Sequence, residues 1–147
     1  MENEIVKLDE IDKKILEILK KDARMPLEEM SKELNLSKST IHYRIKRLKE
    51  LGVIKGFTTN VDYKKLGLNI EAVSCVKAKY QQHSLEEIAK KIREIPGVYQ
   101  VYSILGEMDF FVIIRAKDNE ELKQIVEKLI GIPEIERTST FLIISSQ

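Results

Sequence analysis

The 147-residue sequence has few of the residues that build disulfides and metal centres. Its single cysteine, Cys75, excludes an intrachain disulfide, and one cysteine with two histidines, His42 and His83, is too few for a Cys/His zinc site. No apolar run approaches the roughly 18 residues that a membrane-spanning helix needs. Acidic residues interrupt the N-terminal stretch, unlike the basic start and apolar segment of a signal peptide. We therefore expect a cytoplasmic protein without a metal ion or prosthetic cofactor.

Charge of one sign is not in excess either, because 25 lysines and arginines nearly balance 24 aspartates and glutamates. Residues 37–55 depart from this balance, since they hold six basic side chains and one acidic side chain, Glu50. A neutral protein with one basic stretch is typical of a local DNA-binding element. The 33% of charged and 43% of hydrophobic residues exclude a disordered chain and allow a folded core.

Apolar residues at helical spacing predict three helices before Gly52. Asp9 is a good N-cap for the first helix, Pro26 begins the second, and Ser37 caps the third. Asn35 suits the left-handed conformation that ends a helix, so that only a short turn separates the second helix from the third. Two short helices joined by so tight a turn are typical of a helix-turn-helix.

The third predicted helix buries Ile41, Ile45 and Leu48 and turns polar and basic side chains outward. Hydroxyl and aromatic groups near its N-terminal end suit the edges of DNA bases, and its later cations suit phosphates. We expect base contacts from Ser39, Thr40, His42 and Tyr43, and phosphate contacts from Lys38, Arg44, Lys46 and Arg47. The alternative interpretation is a solvated basic face on an ordinary three-helix core.

Residues 53–62 are rich in β-branched side chains and predict a strand, a wing or hinge that follows the helices. Residues 63–69 are predicted to connect this strand to the next unit. We therefore expect two domains, a helix-turn-helix DNA-binding domain over residues 1–62 and a second domain over residues 63–147.

The rest of the chain contains a strand–helix–strand pattern twice. The helix after Ser84 and the helix after Asp118 have matching apolar stripes, and an Ile-Pro pair follows each of them, at Pro96 and at Pro133. A repeated βαβ unit predicts the ferredoxin-like βαββαβ plan, with four antiparallel strands and two helices on one face. The expected fold class is therefore α+β, a winged helix-turn-helix followed by a ferredoxin-like domain.

The first strand of this domain, predicted over residues 70–80, carries apolar residues on both faces. Val73 and Cys75 lie on the opposite alternation from Ala72 and Val76. Because both helices cover the same face of the sheet, we expect the other face to be buried against a second copy, which gives a homodimer. Cys75 is then a packing residue rather than a nucleophile.

The connection between the two repeats, residues 105–111, holds a glycine and two carboxylates beside an apolar strand. Glu107 and Asp109 offer acceptors to an ammonium group, and the backbone amides around Gly106 can meet a carboxylate. The alternative interpretation is a hairpin turn with solvated acids, which the spacing alone favours.

Three stretches resemble the Lrp/AsnC (feast/famine) family of bacterial and archaeal transcription regulators, and the resemblance extends over essentially the whole chain. They are residues 8–16, residues 36–48 followed by Gly52-Val53-Ile54, and the loop Gly106-Glu107-Met108-Asp109 with Phe110. The resemblance implies a regulator that binds double-stranded DNA and whose second domain dimerises and senses small molecules, usually amino acids. It also implies that homodimers assemble into tetramers, octamers or larger rings.

The resemblance places the effector between dimers, near Gly106, Glu107, Met108 and Asp109 in the loop and near Thr138, Ser139 and Thr140 in the last strand. Met108 departs from the family, which commonly has an aromatic residue there, and this departure leaves the identity of the ligand open. The abundance of isoleucine, lysine and glutamate indicates an archaeal member. Activation through basal transcription factors is then as plausible as repression.

Two other functions are compatible with the residues. One is an effector-free architectural DNA-binding protein, which differs only in having no ligand. The other is a metabolite-binding ferredoxin-like domain or an enzyme, since fold alone does not exclude catalysis. The sequence offers no Ser/His/Asp or Cys/His constellation, and His83 has no apparent catalytic partner. We expect a regulator and not an enzyme.

Overall fold

The computed structural model describes residues 5–79 and 84–145. The chain divides into two compact units between Asn60 and Val61, two residues before the predicted boundary after Asp62. Three helices come first and a βαββαβ arrangement follows, so the predicted α+β fold class is confirmed. No helix in the described part of the chain is long and apolar enough to cross a membrane.

The first unit consists of the helices α1 (Glu10–Lys21), α2 (Leu27–Leu34) and α3 (Lys38–Glu50). The predicted caps are confirmed, because Asp9 accepts a hydrogen bond from the backbone amide of Asp12, and Ser37 accepts one from that of Thr40. Asn35 ends α2 with a left-handed φ of 52°, which makes the tight turn into α3. Among the described residues of this unit, the fully buried apolar side chains are Ile15, Met30, Ile41 and Leu48.

Residues 53–62 do not form the predicted strand. Val53 and Ile54 pack against the three-helix core, and the backbone amide of Ile54 donates to the carbonyl oxygen of Leu48 at 3.0 Å. A strand needs a neighbouring strand for its amides and carbonyls, and the described residues of this unit provide none. The prediction of a strand is therefore wrong, because the first β-branched residues pack beside α3 instead of pairing in a β-ladder.

The second unit consists of a 3-10 helix (Tyr63–Leu66), β1 (Ile70–Ala78), α4 (Leu85–Arg93), β2 (Val98–Ser103), β3 (Phe110–Ala116), α5 (Asn119–Ile130) and β4 (Ile135–Leu142). Its strands lie in the order β2-β3-β1-β4, and each neighbouring pair is antiparallel. The ferredoxin-like plan that the repeat predicts is confirmed. Tyr80, the predicted end of the first strand, and His83 lie outside the described residues.

The helices α4 and α5 pack on one face of this sheet and bury it. Val76 and Phe110 point to that face and are fully buried. Their chain neighbours Cys75 and Phe111 point to the other face, where part of their surface stays exposed. The alternation predicted for β1 is therefore confirmed, and in the described part of this unit no α-helix covers the other face of the sheet.

Candidate DNA-binding surface and effector loop

The residues predicted to contact bases lie on the N-terminal half of α3. Ser39, His42 and Tyr43 are exposed, and Thr40 is partly buried. The Ser37 hydroxyl lies 3.1 Å from that of Ser39 and 2.7 Å from that of Thr40. Because a hydroxyl has one donor and two acceptor positions, this cluster keeps hydrogen-bonding capacity for a base edge.

Two of the predicted phosphate contacts, Lys38 and Lys46, have exposed side chains. The Lys38 ammonium lies 3.8 Å from Glu28, and the Lys46 ammonium lies 3.9 Å from Glu50. Exposed ion pairs of this kind contribute between 0 and about 1 kcal/mol, so a phosphate can displace them. These two lysines are free to contact the DNA backbone.

Arg44, another predicted phosphate contact, is held by two carboxylates of α1. One guanidinium nitrogen, Nη1, lies 2.7 Å from Asp9 Oδ2 and 2.8 Å from Asp12 Oδ1, and the side chain is only 20% exposed. The two carboxylates raise the pKa of Arg44 further above its usual value. The number of basic residues in α3 therefore overstates how many of them are available to phosphates, because carboxylates of α1 already pair with Arg44.

Arg47 is an intermediate case among the predicted phosphate contacts. Its Nη1 lies 3.5 Å from Asp12 Oδ2, at the limit of a hydrogen bond, and 38% of its side chain is exposed. A long, partly exposed arginine with so weak a contact can turn toward a phosphate at small cost.

Asp9 remains ionised at neutral pH. Its pKa is lowered, first by the hydrogen bond that its carboxylate accepts from the backbone amide of Asp12 and then by the Arg44 guanidinium. The charged contact between α1 and α3 is therefore intact under ordinary conditions.

Phe57 is a candidate that the sequence interpretation missed. Its ring is 50% exposed, and the Lys49 ammonium lies 5.7 Å from the ring centroid. Together with His42 and Lys46, it lines a groove of about 390 Å³ beside α3. The irregular segment after Gly52 thus brings an aromatic side chain to the basic end of the helix.

The predicted effector loop lies between β2 and β3, and its two carboxylates have different environments. Glu107 is 83% exposed and accepts a hydrogen bond from Nη2 of Arg137 at 2.7 Å. Asp109 is 4% exposed, accepts a hydrogen bond from the backbone amide of Ala78 at 2.8 Å, and pairs with Lys77 at 3.3 Å. Asp109 is therefore buried against β1 while Glu107 is exposed, and the expectation that both accept an ammonium group stays a prediction.

The candidate effector residues of β4 lie on two different faces of the sheet. Thr138 and Thr140 pair with Val76 and Ser74 and share their helix-covered side, where the Thr140 hydroxyl lies 2.5 Å from that of Ser74. Ser139 pairs with Cys75 and shares the uncovered side. Of the loop residues, Gly106 is exposed and Met108 is partly buried. Arg137, which the sequence interpretation missed, contacts the loop directly through Glu107.

The uncovered face of the sheet carries apolar side chains from all four strands, beside the polar Gln100 and Ser139. Tyr102, Phe111, Cys75 and Ser139 form one row in register, and Gln100, Ile113, Val73 and Phe141 form the next. The exposed fractions are 53% for Tyr102, 40% for Phe111 and 58% for Phe141. Aromatic side chains in a continuous patch of this kind are typical of a protein–protein interface.

Family models match both units of the chain. A winged helix-turn-helix DNA-binding model matches residues 8–55, and the Lrp/AsnC ligand binding domain matches residues 72–147, more than half of the chain. The chain belongs to the Lrp/AsnC family. This Lrp/AsnC protein is a transcriptional regulator with a DNA-binding helix-turn-helix and a ligand-binding domain.

Relatives of this Lrp/AsnC protein are known in archaea and bacteria. The HTH-type transcriptional regulator FL11 of Pyrococcus furiosus is 45% identical, over 93% of this chain and 89% of the relative. The structure of Bacillus subtilis LrpC is 31% identical with a TM-score of 0.84, over 97% of this chain and 98% of LrpC. A Neisseria meningitidis transcriptional regulator in complex with L-methionine has a TM-score of 0.89 at 22% identity, over 95% of this chain and 91% of that one, and shows the same fold.

Proposed function

We propose that this regulator binds DNA as a homodimer, with α3 of each subunit in one of two successive major grooves. The observation that carries the proposal is the exposed group of hydroxyl, imidazole and phenol side chains on α3, with Lys38 before it and Lys46 after it. Two-fold symmetry then requires a near-palindromic site with half-sites about 10 bp apart, or a multiple of that. Ser39, Thr40, His42 and Tyr43 contact bases, and Lys38, Lys46 and Arg47 contact phosphates.

Fluorescence anisotropy tests the proposal most directly. The full chain is titrated against the promoter DNA upstream of its own gene and against a scrambled duplex, at fixed salt, with and without a mixture of the common amino acids. A preference for the promoter, changed by the mixture, supports a sensor-regulator. If the promoter is not preferred, an unbiased selection of sites follows, and failure of that selection contradicts specific DNA binding.

The role of Lys46 separates phosphate contacts from base contacts. Lys46→Ala is expected to weaken binding to all sequences alike and to reduce the slope of log affinity against log salt by about one per subunit. A changed preference among sites would contradict the phosphate assignment.

The homodimer is proposed to form through the uncovered face of the sheet, where Phe111 lies near the centre of the apolar rows. Phe111→Ser should raise the dissociation constant of the dimer at least about tenfold, because aromatic residues at the centre of an interface carry much of the binding energy. Sedimentation measures this, with Phe57→Ser as the control, since that half-exposed ring lies in the other unit. A monomeric wild type, or no change for Phe111→Ser, contradicts the proposal.

An amino acid is proposed as the effector, at the loop that carries Glu107. A zwitterion matches the exposed Glu107–Arg137 pair, because its ammonium group can take the carboxylate and its carboxylate the guanidinium. The L-methionine complex of the Neisseria meningitidis neighbour is consistent with this ligand class. Glu107→Gln should abolish any effect of the amino acid mixture on DNA binding and leave the effector-free affinity unchanged.

The second candidate is an effector-free architectural DNA-binding protein. It is favoured by one observation, namely that Glu107 and Asp109 both have cationic partners within the chain. Specific DNA binding that no amino acid alters would support it.

The proposal for the regulator has four further parts. We propose that its homodimers assemble into tetramers or octamers, that it contacts basal transcription factors, that it is cytoplasmic and that it has no catalytic activity.

A further inference from the structure

The acidic side chains that begin α1 have a second contact besides capping the helix. Asp9 and Asp12 form a capping box, in which each carboxylate accepts a hydrogen bond from the backbone amide of the other residue. Both carboxylates also accept hydrogen bonds from the Arg44 guanidinium of α3, at 2.7 Å and 2.8 Å. We call these three residues the Arg44 cluster.

Arg44 lies on the inner side of α3. It is separated by three residues from Ile41 and by four from Leu48, the spacing of one helix face, and both of those side chains are fully buried. Tyr43 and Lys46, by contrast, have side chains that are mostly exposed. To reach a phosphate, Arg44 would have to leave Asp12, which is 1% exposed, as a buried charge without its main partner.

Apolar contacts restrict the rotation of α3 about its own axis less sharply than a charged hydrogen bond does, because the hydrophobic effect has no direction. A guanidinium held by two carboxylates from another helix has a defined geometry. Base contacts need a well-defined rotation of α3, since functional side chains work only within about 0.5 Å and 10–20° of their productive placement.

We propose that Arg44 is a positioning residue for DNA recognition: the Arg44 cluster sets the rotation of α3 against α1, so that the base-contacting side chains meet their bases. Arg44 itself contacts no phosphate. This inference rests on the proposed function, because it assumes that α3 discriminates between DNA sequences. According to this inference, Asp9 and Asp12 at the start of α1 influence which DNA sequence the protein prefers.

The test compares Arg44→Gln with Lys46→Gln, which removes a positive charge from the same helix at an exposed position. The affinities of the full chains for the selected site and for a scrambled duplex are measured at several salt concentrations. Arg44→Gln is expected to lower the ratio of specific to scrambled affinity about tenfold, the effect of losing one base contact, with an unchanged salt slope. Lys46→Gln should keep the ratio and reduce the slope by about one per subunit.

Asp9→Asn provides a second variant in case Arg44→Gln does not fold. Asparagine is as good an N-cap as aspartate, so α1 keeps its start while Arg44 loses one ionic partner. The ratio of specific to scrambled affinity should fall about threefold. The double variant, Asp9→Asn with Arg44→Gln, should lose no more than Arg44→Gln alone, because both substitutions act through one contact. A loss of folded protein lowers both affinities equally and cancels in the ratio.

Two results would overturn the inference. If Arg44→Gln reduces the salt slope as Lys46→Gln does, Arg44 contacts a phosphate. If neither Arg44→Gln nor Asp9→Asn changes the ratio, the cluster is structural only. The wild type distinguishes these failures from that of the proposed function: if it binds both duplexes equally, specific DNA binding fails, and the inference falls with it.

Discussion

The two units of the chain hold their elements together by different means. In the second unit, two helices and four strands share a broad apolar core, in which Phe110, Ile114 and Leu129 are fully buried. In the first unit, three short helices share a smaller core, and charged side chains link α1 to α3. The second unit has ion pairs too, such as Arg115 with Glu71 between β3 and β1. The units therefore differ in the size of their apolar cores and in what their ion pairs join, since only in the first unit does an ion pair hold the helix that is proposed to meet DNA.

Removal of a buried ring tests the dependence of the second unit on its core. Phe110→Ala is expected to lower the free energy of unfolding by about 3–5 kcal/mol, because the fully buried ring leaves a cavity beneath the helices. Urea unfolding followed by circular dichroism measures the loss. The control is Phe57→Ala in the first unit, where the ring is half exposed. An equal loss there would show that the effect of Phe110→Ala does not come from the burial of its ring.

Neutralising a buried carboxylate tests the first unit in the same way. Asp12→Asn should lower the free energy of unfolding by about 2 kcal/mol, since a hydrogen bond to a charged group contributes about 1.5–3 kcal/mol and Asp9 still holds Arg44. Thermal and urea unfolding of the full chain measure it. Glu10→Gln, which removes an exposed charge paired with Lys13 in the same helical turn, should have a much smaller effect. Similar losses of stability for Asp12→Asn and Glu10→Gln would contradict the idea that the Arg44 cluster stabilises the first unit more than an exposed ion pair does.

The features of both units that depend on nearby residues were predictable from the sequence. Asp9, Ser37 and Asn35 act on backbone groups within the same turn, so a single sequence contains all that is needed to place these helix ends. The ferredoxin-like plan was predictable because the two repeats must each bury a helix stripe of the same spacing. The alternation of β1 followed from the two-residue period of a strand.

The contacts between distant parts of the chain were not predictable in this way. Arg44 pairs with Asp12 from 32 positions earlier, and Arg137 pairs with Glu107 across 30 positions. From the sequence alone, an arginine in a basic helix predicts a phosphate contact. Only the packing of α1 against α3 shows that two carboxylates bind the Arg44 guanidinium. The wing strand failed for a related reason, because β-branched side chains suit a strand and a core-packing turn alike.

The smallest expected effect is a loss of stability at low pH. It distinguishes the charged link of the first unit from the apolar core of the second. The folded-state pKa of Asp9 lies below its ordinary value of 3.8, so the unfolded chain binds more protons in this range and stability falls as the pH drops. The contribution of Asp9 is complete above about pH 5 and is lost as the pH falls through the lowered pKa. The stability difference between wild type and Asp9→Asn, measured by urea unfolding between about pH 6 and pH 2, should therefore shrink toward the acidic end. A difference that stays constant over this range would show that the Asp9 charge contributes nothing to the link between α1 and α3.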